Sequence, residues 1–100
     1  MTNLIRKMLT IITELSLEST LIRELEKCGA TGYTVTNARG KGSKGKRAAE
    51  WDASSNIRVE VICSIEVAEI INQMLQEKYY ENFAMISFTS DVSVLRSQKF

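Results

Sequence analysis

From Asn56 to Ser64 the chain shows its clearest strand pattern: Ile57, Val59, Val61 and Cys63 point one way, Arg58 and Glu60 the other. A period of two marks a strand with one covered face, so the chain must form a sheet and lay something over it. Two helical stretches answer that need. Ser16 is placed as an N-cap, and Leu17, Leu21, Ile22, Leu25 and Cys28 recur at helical spacing before Gly29, a good residue to follow a helix. Glu18, Arg23, Glu24 and Lys27 then face outward. Glu66 to Tyr80 repeats the period with Val67, Ile70, Ile71, Met74 and Leu75, and Glu66 and Glu69 sit where a helix N-terminus favours negative charge.

Three more strands complete the pattern. Lys7 to Thr13 carries Leu9 and Ile11 on one side and Met8 and Ile12 on the other, which predicts a central strand apolar on both faces. A second strand starts at Gly32, with Tyr33, Val35 and Asn37 alternating with Thr34 and Thr36. Phe83 to Val94 forms the last, with Ala84, Ile86 and Phe88 on one face and Met85, Ser87 and Thr89 on the other. Strand, helix, strand, strand, helix, strand is the order of the α+β ferredoxin-like βαββαβ fold, a four-stranded antiparallel sheet with both helices on one face. The apolar residues on the other face predict a homo-oligomer, because the chain has no further helix to cover them.

The second and third strands are joined by a stretch of another kind, ARGKGSKGKRAAEW. Five of the nine residues from Arg39 to Arg47 are cationic, with Gly40, Gly42 and Gly45 among them. Closely spaced glycines let backbone N–H groups turn toward an anion, and Lys41, Lys44, Lys46 and Arg47 add compensating charge. Phosphate is the ligand class this composition suits; a solvated loop is the plainer reading of the same residues. Trp51 lies beyond the cluster, with the look of an exposed residue.

Composition narrows the classes further. One hundred residues make a single domain, 1–100, and a net charge of +1 is too small for a globally basic nucleic-acid binder. Histidine is absent, which removes histidine acid–base catalysis and the common histidine-containing zinc sites; no metal site is predicted. Cys28 and Cys63, with no metal-binding spacing, read as small buried hydrophobes. Thr10, Thr13 and Glu14 interrupt the apolar run near the N-terminus, and no stretch reaches the length of a membrane span, so a cytoplasmic location is expected.

With these residues placed, the chain resembles the PII signalling superfamily, and within it the SbtB branch of cyanobacterial regulators of bicarbonate transport. The motifs that carry the likeness are Thr13-Glu14 after the first strand and Gly29-Ala30-Thr31-Gly32-Tyr33-Thr34-Val35 entering the second. Gly40-Lys41-Gly42-Ser43 at the loop and Asn56-Ile57-Arg58-Val59-Glu60 in the third strand complete the set. The resemblance implies a homotrimer that binds AMP, ADP, ATP and cyclic AMP as effectors in clefts between subunits. It also implies that the segment from about 38 to 55 is the T-loop, which rearranges with the nucleotide to grip or release a target. For the SbtB type that target is the SbtA sodium-bicarbonate symporter of the carbon-concentrating mechanism, which would place the protein peripherally at the inner membrane through its partner.

Carried over position by position, the resemblance puts Gly40, Lys41, Gly42, Ser43, Lys44 and Arg47 at the phosphates and Thr34 near the adenine. Lys46, Arg47 and Trp51 are assigned to the partner. Arg47 is the strongest candidate, because a guanidinium can make a two-pronged contact that a lysine cannot. Three departures stand out. Phe83-Ala84-Met85 occupies the place of the Gly-Lys phosphate motif of conventional PII proteins; Met85 stands where the SbtB branch usually has glycine; and the cysteine-containing C-terminal extension of many SbtB relatives is missing. The T-loop also offers no tyrosine for the modification used in conventional nitrogen sensing.

Other classes can be weighed against this one. A nucleotide phosphohydrolase would have to use Glu14 and Glu60, which read as readily as a strand-end charge and the ion-pair partner of Arg58. An RNA-binding ferredoxin-like module would need aromatics at adjacent central-strand positions, whereas Tyr33 and Phe88 are isolated, so no nucleic acid partner is expected. A CutA-type trimer shares the fold but predicts a shorter loop without a basic cluster.

Overall fold

In the computed structural model, the described residues are 4–40 and 55–95. They form β1 (Leu4–Glu14), a single 3-10 turn (Leu15–Leu17), α1 (Glu18–Lys27), β2 (Thr34–Ala38), β3 (Asn56–Cys63), α2 (Ile65–Lys78) and β4 (Ile86–Val94). The order is the expected βαββαβ. The sheet runs β2-β3-β1-β4 with every neighbouring pair antiparallel, so β1 and β3 are central and the edges are β2 and β4. Each helix carries the chain across one intervening strand, which is the split βαβ arrangement.

Alternation decides the packing. Leu9 and Ile11 of β1 and Ile57, Val59, Val61 and Cys63 of β3 are buried on the helix side, where they meet Leu21 and Leu25 of α1 and Ala68, Ile71, Met74 and Leu75 of α2. On the opposite side, Met8 and Ile12 of β1 and Ile62 of β3 are half-buried, while Ile86 and Phe88 of β4 are exposed. No helix covers that face. It holds apolar side chains on three strands around the buried Thr10, with Thr34, Thr36, Arg58 and Glu60 at its β2 side.

Helix ends differ from expectation in instructive ways. Ser16 does not cap α1: its hydroxyl donates to the Glu14 carboxylate at 3.2 Å, and the chain enters α1 through the 3-10 turn with Leu17 at the cap. The cap that does form is on α2, where Ser64 Oγ accepts from the Val67 N–H at 3.2 Å. Gly29 ends α1 as anticipated, with φ at +109°, while the following amide of Ala30 reaches back to the Leu25 carbonyl at 3.0 Å. Ile70, expected in the core, is 51% exposed, because the buried stripe of α2 runs through Ala68, Ile71, Met74 and Leu75 instead. β2 begins at Thr34 rather than Gly32, and β4 at Ile86 rather than Phe83.

Candidate functional site

One end of the sheet gathers the chain segments that the basic stretch connects. Ala38 at the end of β2, Asn56 at the start of β3 and Glu14 at the end of β1 stand in one row of the ladder. The segment between β2 and β3 leaves and returns there. Its return is fixed: the Leu15 N–H donates to the Ser55 carbonyl at 2.8 Å, and Asn56 is buried beside it. Its departure is open, since Arg39 and Gly40 are exposed and a Cβ built on Gly40 would meet nothing within 4 Å. Lys41, Gly42, Ser43, Lys44, Lys46, Arg47 and Trp51 lie outside the described residues.

Thr34 opens β2, exposed, opposite Glu60 of β3. It lies six positions before Gly40, about 20 Å along extended chain. A single protomer therefore does not bring Thr34 and the loop base to the same phosphate.

The charges nearest Thr34 are Arg58 and Glu60. Arg58 Nε donates to Glu60 Oε2 at 3.2 Å, both side chains partly exposed, so the pair is worth at most about 1 kcal/mol. Glu14 is aligned with Asn56 and Glu60 with Thr10, which separates the two carboxylates by four residues along the sheet, roughly 13 Å. They do not converge on one scissile bond. Among the described residues, no three Cys, Asp or Glu side chains gather closely enough to hold a metal ion. The aromatic positions are likewise apart: Tyr33 precedes β2 on one edge, Phe88 lies on β4 at the other, and the central strands β1 and β3 carry no aromatic residue. Nothing there forms a platform on which successive bases could stack.

The segment entering β4 reaches the same end of the sheet. Phe83 and Met85 pack against the core, and between them the Ala84 carbonyl accepts a 3.0 Å hydrogen bond from Thr13 Oγ1. No lysine stands in this segment. Thr13 is fully buried, a role that reading the sequence missed. Its signal was parity: Leu9, Ile11 and Thr13 share the covered face, so a hydroxyl at the third position needs a buried partner.

Shifted titrations fall elsewhere, where the two helices end. Lys78 Nζ lies 3.1 Å from Glu24 Oε1, and this hydrogen bond and charge hold the lysine above its ordinary value. Burial raises the Tyr79 phenol and the Cys28 thiol, with Glu24 reinforcing and Lys78 opposing both. Burial alone raises Cys63. Both cysteines are free; Cys63 is buried as expected, whereas Cys28 is only partly so. Neither has the lowered value of a reactive thiolate. Among the described residues, no helix is long and apolar enough to cross a membrane.

Comparison with known proteins adds a family to this geometry. The family described as nitrogen regulatory protein P-II matches residues 6–99. A PII-like signalling protein of Thermus thermophilus superposes with a TM-score of 0.84 at 44% identity, covering 100% of this chain and 99% of that one. CPII, a PII-like protein of Thiomonas intermedia solved with ADP and bicarbonate, gives a TM-score of 0.84 at 25% identity over 99% of this chain and 97% of that chain. The fold is shared at lower identity by GlnK of B. subtilis in its ATP complex, with a TM-score of 0.66, 18% identity, and coverage of 89% and 84%.

Proposed function

Because the chain belongs to the nitrogen regulatory protein P-II family, we propose that it is an adenine-nucleotide-sensing regulator that works as a homotrimer and not as an enzyme. The observation that carries this reading is the open loop base at Gly40, at the end of a sheet shared over its whole length with the Thermus PII-like protein. CPII, solved with ADP and bicarbonate, supports the ligand class.

The nucleotide lies between protomers. Thr34 and Gly40 stand six residues apart, up to about 20 Å along extended chain, and a site shared between copies lets one copy meet the adenine and another the phosphates. The uncovered apolar face of β1, β3 and β4 gives those copies a reason to associate. Gly40, Lys41, Gly42, Ser43, Lys44 and Arg47 surround the phosphates, Arg47 as a two-pronged donor and Lys44 as a point charge. AMP, ADP, ATP and cyclic AMP form the ligand set.

Regulation passes through the loop. Lys46, Arg47 and Trp51 engage the partner, a membrane transporter of the SbtA bicarbonate symporter type, at the cytoplasmic side of the inner membrane. An aromatic flanked by charges is suited to anchor such an interface. Proteoliposomes carrying a symporter of that type test the reading. Retention of the protein that changes between AMP, ADP and ATP supports it, and the lack of retention with every nucleotide refutes the transporter assignment.

A further inference from the structure

The sheet face that no helix covers holds, at its centre, a polar atom that the single protomer leaves unsatisfied. Thr10 lies mid-way along β1, on the same side as Met8 and Ile12, and is fully buried, yet its Oγ1 has no hydrogen-bond partner among the described residues. In the ladder it stands opposite Phe88 of β4 and opposite Glu60 of β3. Buried hydroxyls nearly always have a partner, because one without it keeps the full cost of giving up water. Valine would fill the same space without that cost. Inside one protomer, then, the hydroxyl contributes nothing that a methyl group would not.

A suitable acceptor stands next to it. Thr10 and Glu60 are direct cross-strand neighbours on one face, a relation that sets their Cβ atoms about 5 Å apart and puts the hydroxyl within reach of a carboxylate that rotates toward it. In the protomer that carboxylate is turned along β3 instead: Oε2 accepts from Arg58 Nε at 3.2 Å, and 32% of the Glu60 side chain is open to solvent. Water meets the rest of its acceptor capacity. Covering the face removes that water, and a covered carboxylate must draw its donors from the protein. A donor without a partner, the Thr10 hydroxyl, is directly opposite. Arg58 and Glu60 are oppositely charged and already joined, so a second copy can lie over them without burying net charge. Met8, Ile12, Ile62, Ile86 and Phe88 give that copy its apolar contact.

We infer that a second copy of this chain, seated on this face, closes a hydrogen-bond chain from Arg58 through Glu60 to Thr10, which makes Thr10 the polar anchor of the assembly. This rests on the homotrimer proposed above. Thr10→Val keeps the shape and removes the hydroxyl, while Thr10→Ser keeps the hydroxyl and removes a methyl group. Both are placed in the unaltered chain and in the Ile86→Asp chain, whose charge on the same face keeps protomers apart. Sedimentation equilibrium reads the strength of the assembly, and urea denaturation the stability of the separate Ile86→Asp protomer. In the unaltered chain, Thr10→Val should weaken the assembly at least about fivefold, with Thr10→Ser close to the unaltered protein. In the Ile86→Asp protomer, Thr10→Val should leave stability unchanged or raise it, because the hydroxyl has no partner there. A packing role would give a loss in both. Added to Glu60→Ala, Thr10→Val should weaken the assembly little further, since the two share one bond. Assembly as tight in Thr10→Val as in the unaltered chain, a loss with serine as large as with valine, an equal loss in the separate protomer, or full additivity with Glu60→Ala overturns the anchor while leaving the homotrimer intact. An unaltered chain that sediments as a monomer, or an Ile86→Asp chain that keeps the mass of the unaltered assembly, overturns the shared face, and this inference with it.

Discussion

Ile12 and Ile86 stand opposite each other across β1 and β4, on the side of the sheet that no helix covers, and Ile86 leaves 52% of its surface open to solvent. Phe88, 45% exposed, extends the same face toward Thr10. A central strand and an edge strand joined by large apolar side chains make a surface that copies of the chain can share. The proposed trimer rests on it, and so does a nucleotide site assembled from two protomers.

Placing a carboxylate in that surface should separate the copies. Ile86→Asp adds charge where a single chain is already solvated, so each protomer should fold and the assembly should fail, because an unpaired carboxylate costs several kcal/mol when covered. Ile12→Asp, at a half-buried central position, should break both assembly and folding. Sedimentation velocity separates the outcomes. An Ile86→Asp protein that keeps the mass of the unaltered assembly would move the interface off this face.

α2 depends on its first turn. Ser64→Ala removes the acceptor of the Val67 N–H and should destabilise the protein by about 1 kcal/mol, with Ser64→Gly costing less than alanine. Urea denaturation measures the difference. Ser16→Ala should have almost no effect, because Ser16 is exposed and bound to Glu14 instead of capping α1.

That contrast shows how far the sequence could be read. The fold was legible because alternation in β3 and the core stripes of both helices each determine which side is covered, independently of exact ends. The ends were not legible. Ser16 has the residue type of a cap, and only the 3-10 turn at Leu15–Leu17, which holds Ser16 ahead of the helix start and puts Leu17 at the cap, shows that it is not one. Ile70 fits the helical period and still lies on the flank, since two helices on a four-stranded sheet leave room for a narrow stripe only. β4 starts at Ile86, after a segment whose Ala84 carbonyl is engaged by Thr13, a tertiary contact invisible to local pattern. Of the candidate site, Thr34 could be located at the start of β2 and Gly40 two residues beyond its end, while the basic residues from Lys41 onward lie outside the described residues.

Alkaline pH should weaken the fold. Cys28, Cys63, Tyr79 and Lys78 all hold their protons more tightly in the folded chain than at their ordinary values of 9.0 for the thiols, 10.0 for the phenol and 10.5 for the lysine. Their contribution is fully present below those ordinary values. Above them the unfolded chain has released protons that the folded chain still binds, so stability falls as pH rises through each raised value. Denaturation midpoints should therefore decline above about pH 9, and the double variant Cys28→Ala, Cys63→Ala should delay the onset toward the tyrosine range. A decline with the same onset in the double variant would remove the thiols from this account.

The phosphate assignment makes a graded prediction. Arg47→Ala should weaken AMP and ADP by roughly 1.5 to 3 kcal/mol, about 10- to 150-fold, and leave adenosine nearly unchanged. Lys44→Ala should cost less, because an ammonium offers a point charge where the guanidinium offers a fork. With no lysine in Phe83-Ala84-Met85, ATP should bind no more tightly than ADP. Equal weakening of adenosine and AMP in Arg47→Ala, or ATP tenfold tighter than ADP, would return the loop charges to the solvated reading.

Calorimetric titration of the unaltered protein tests the central claim most directly, using AMP, ADP, ATP, cyclic AMP and a short RNA at low and high salt. The account predicts saturable binding of adenine nucleotides that persists at high salt, and no saturable binding of the RNA. Absence of nucleotide binding, or RNA binding that is stronger and fades steeply with salt, would contradict it.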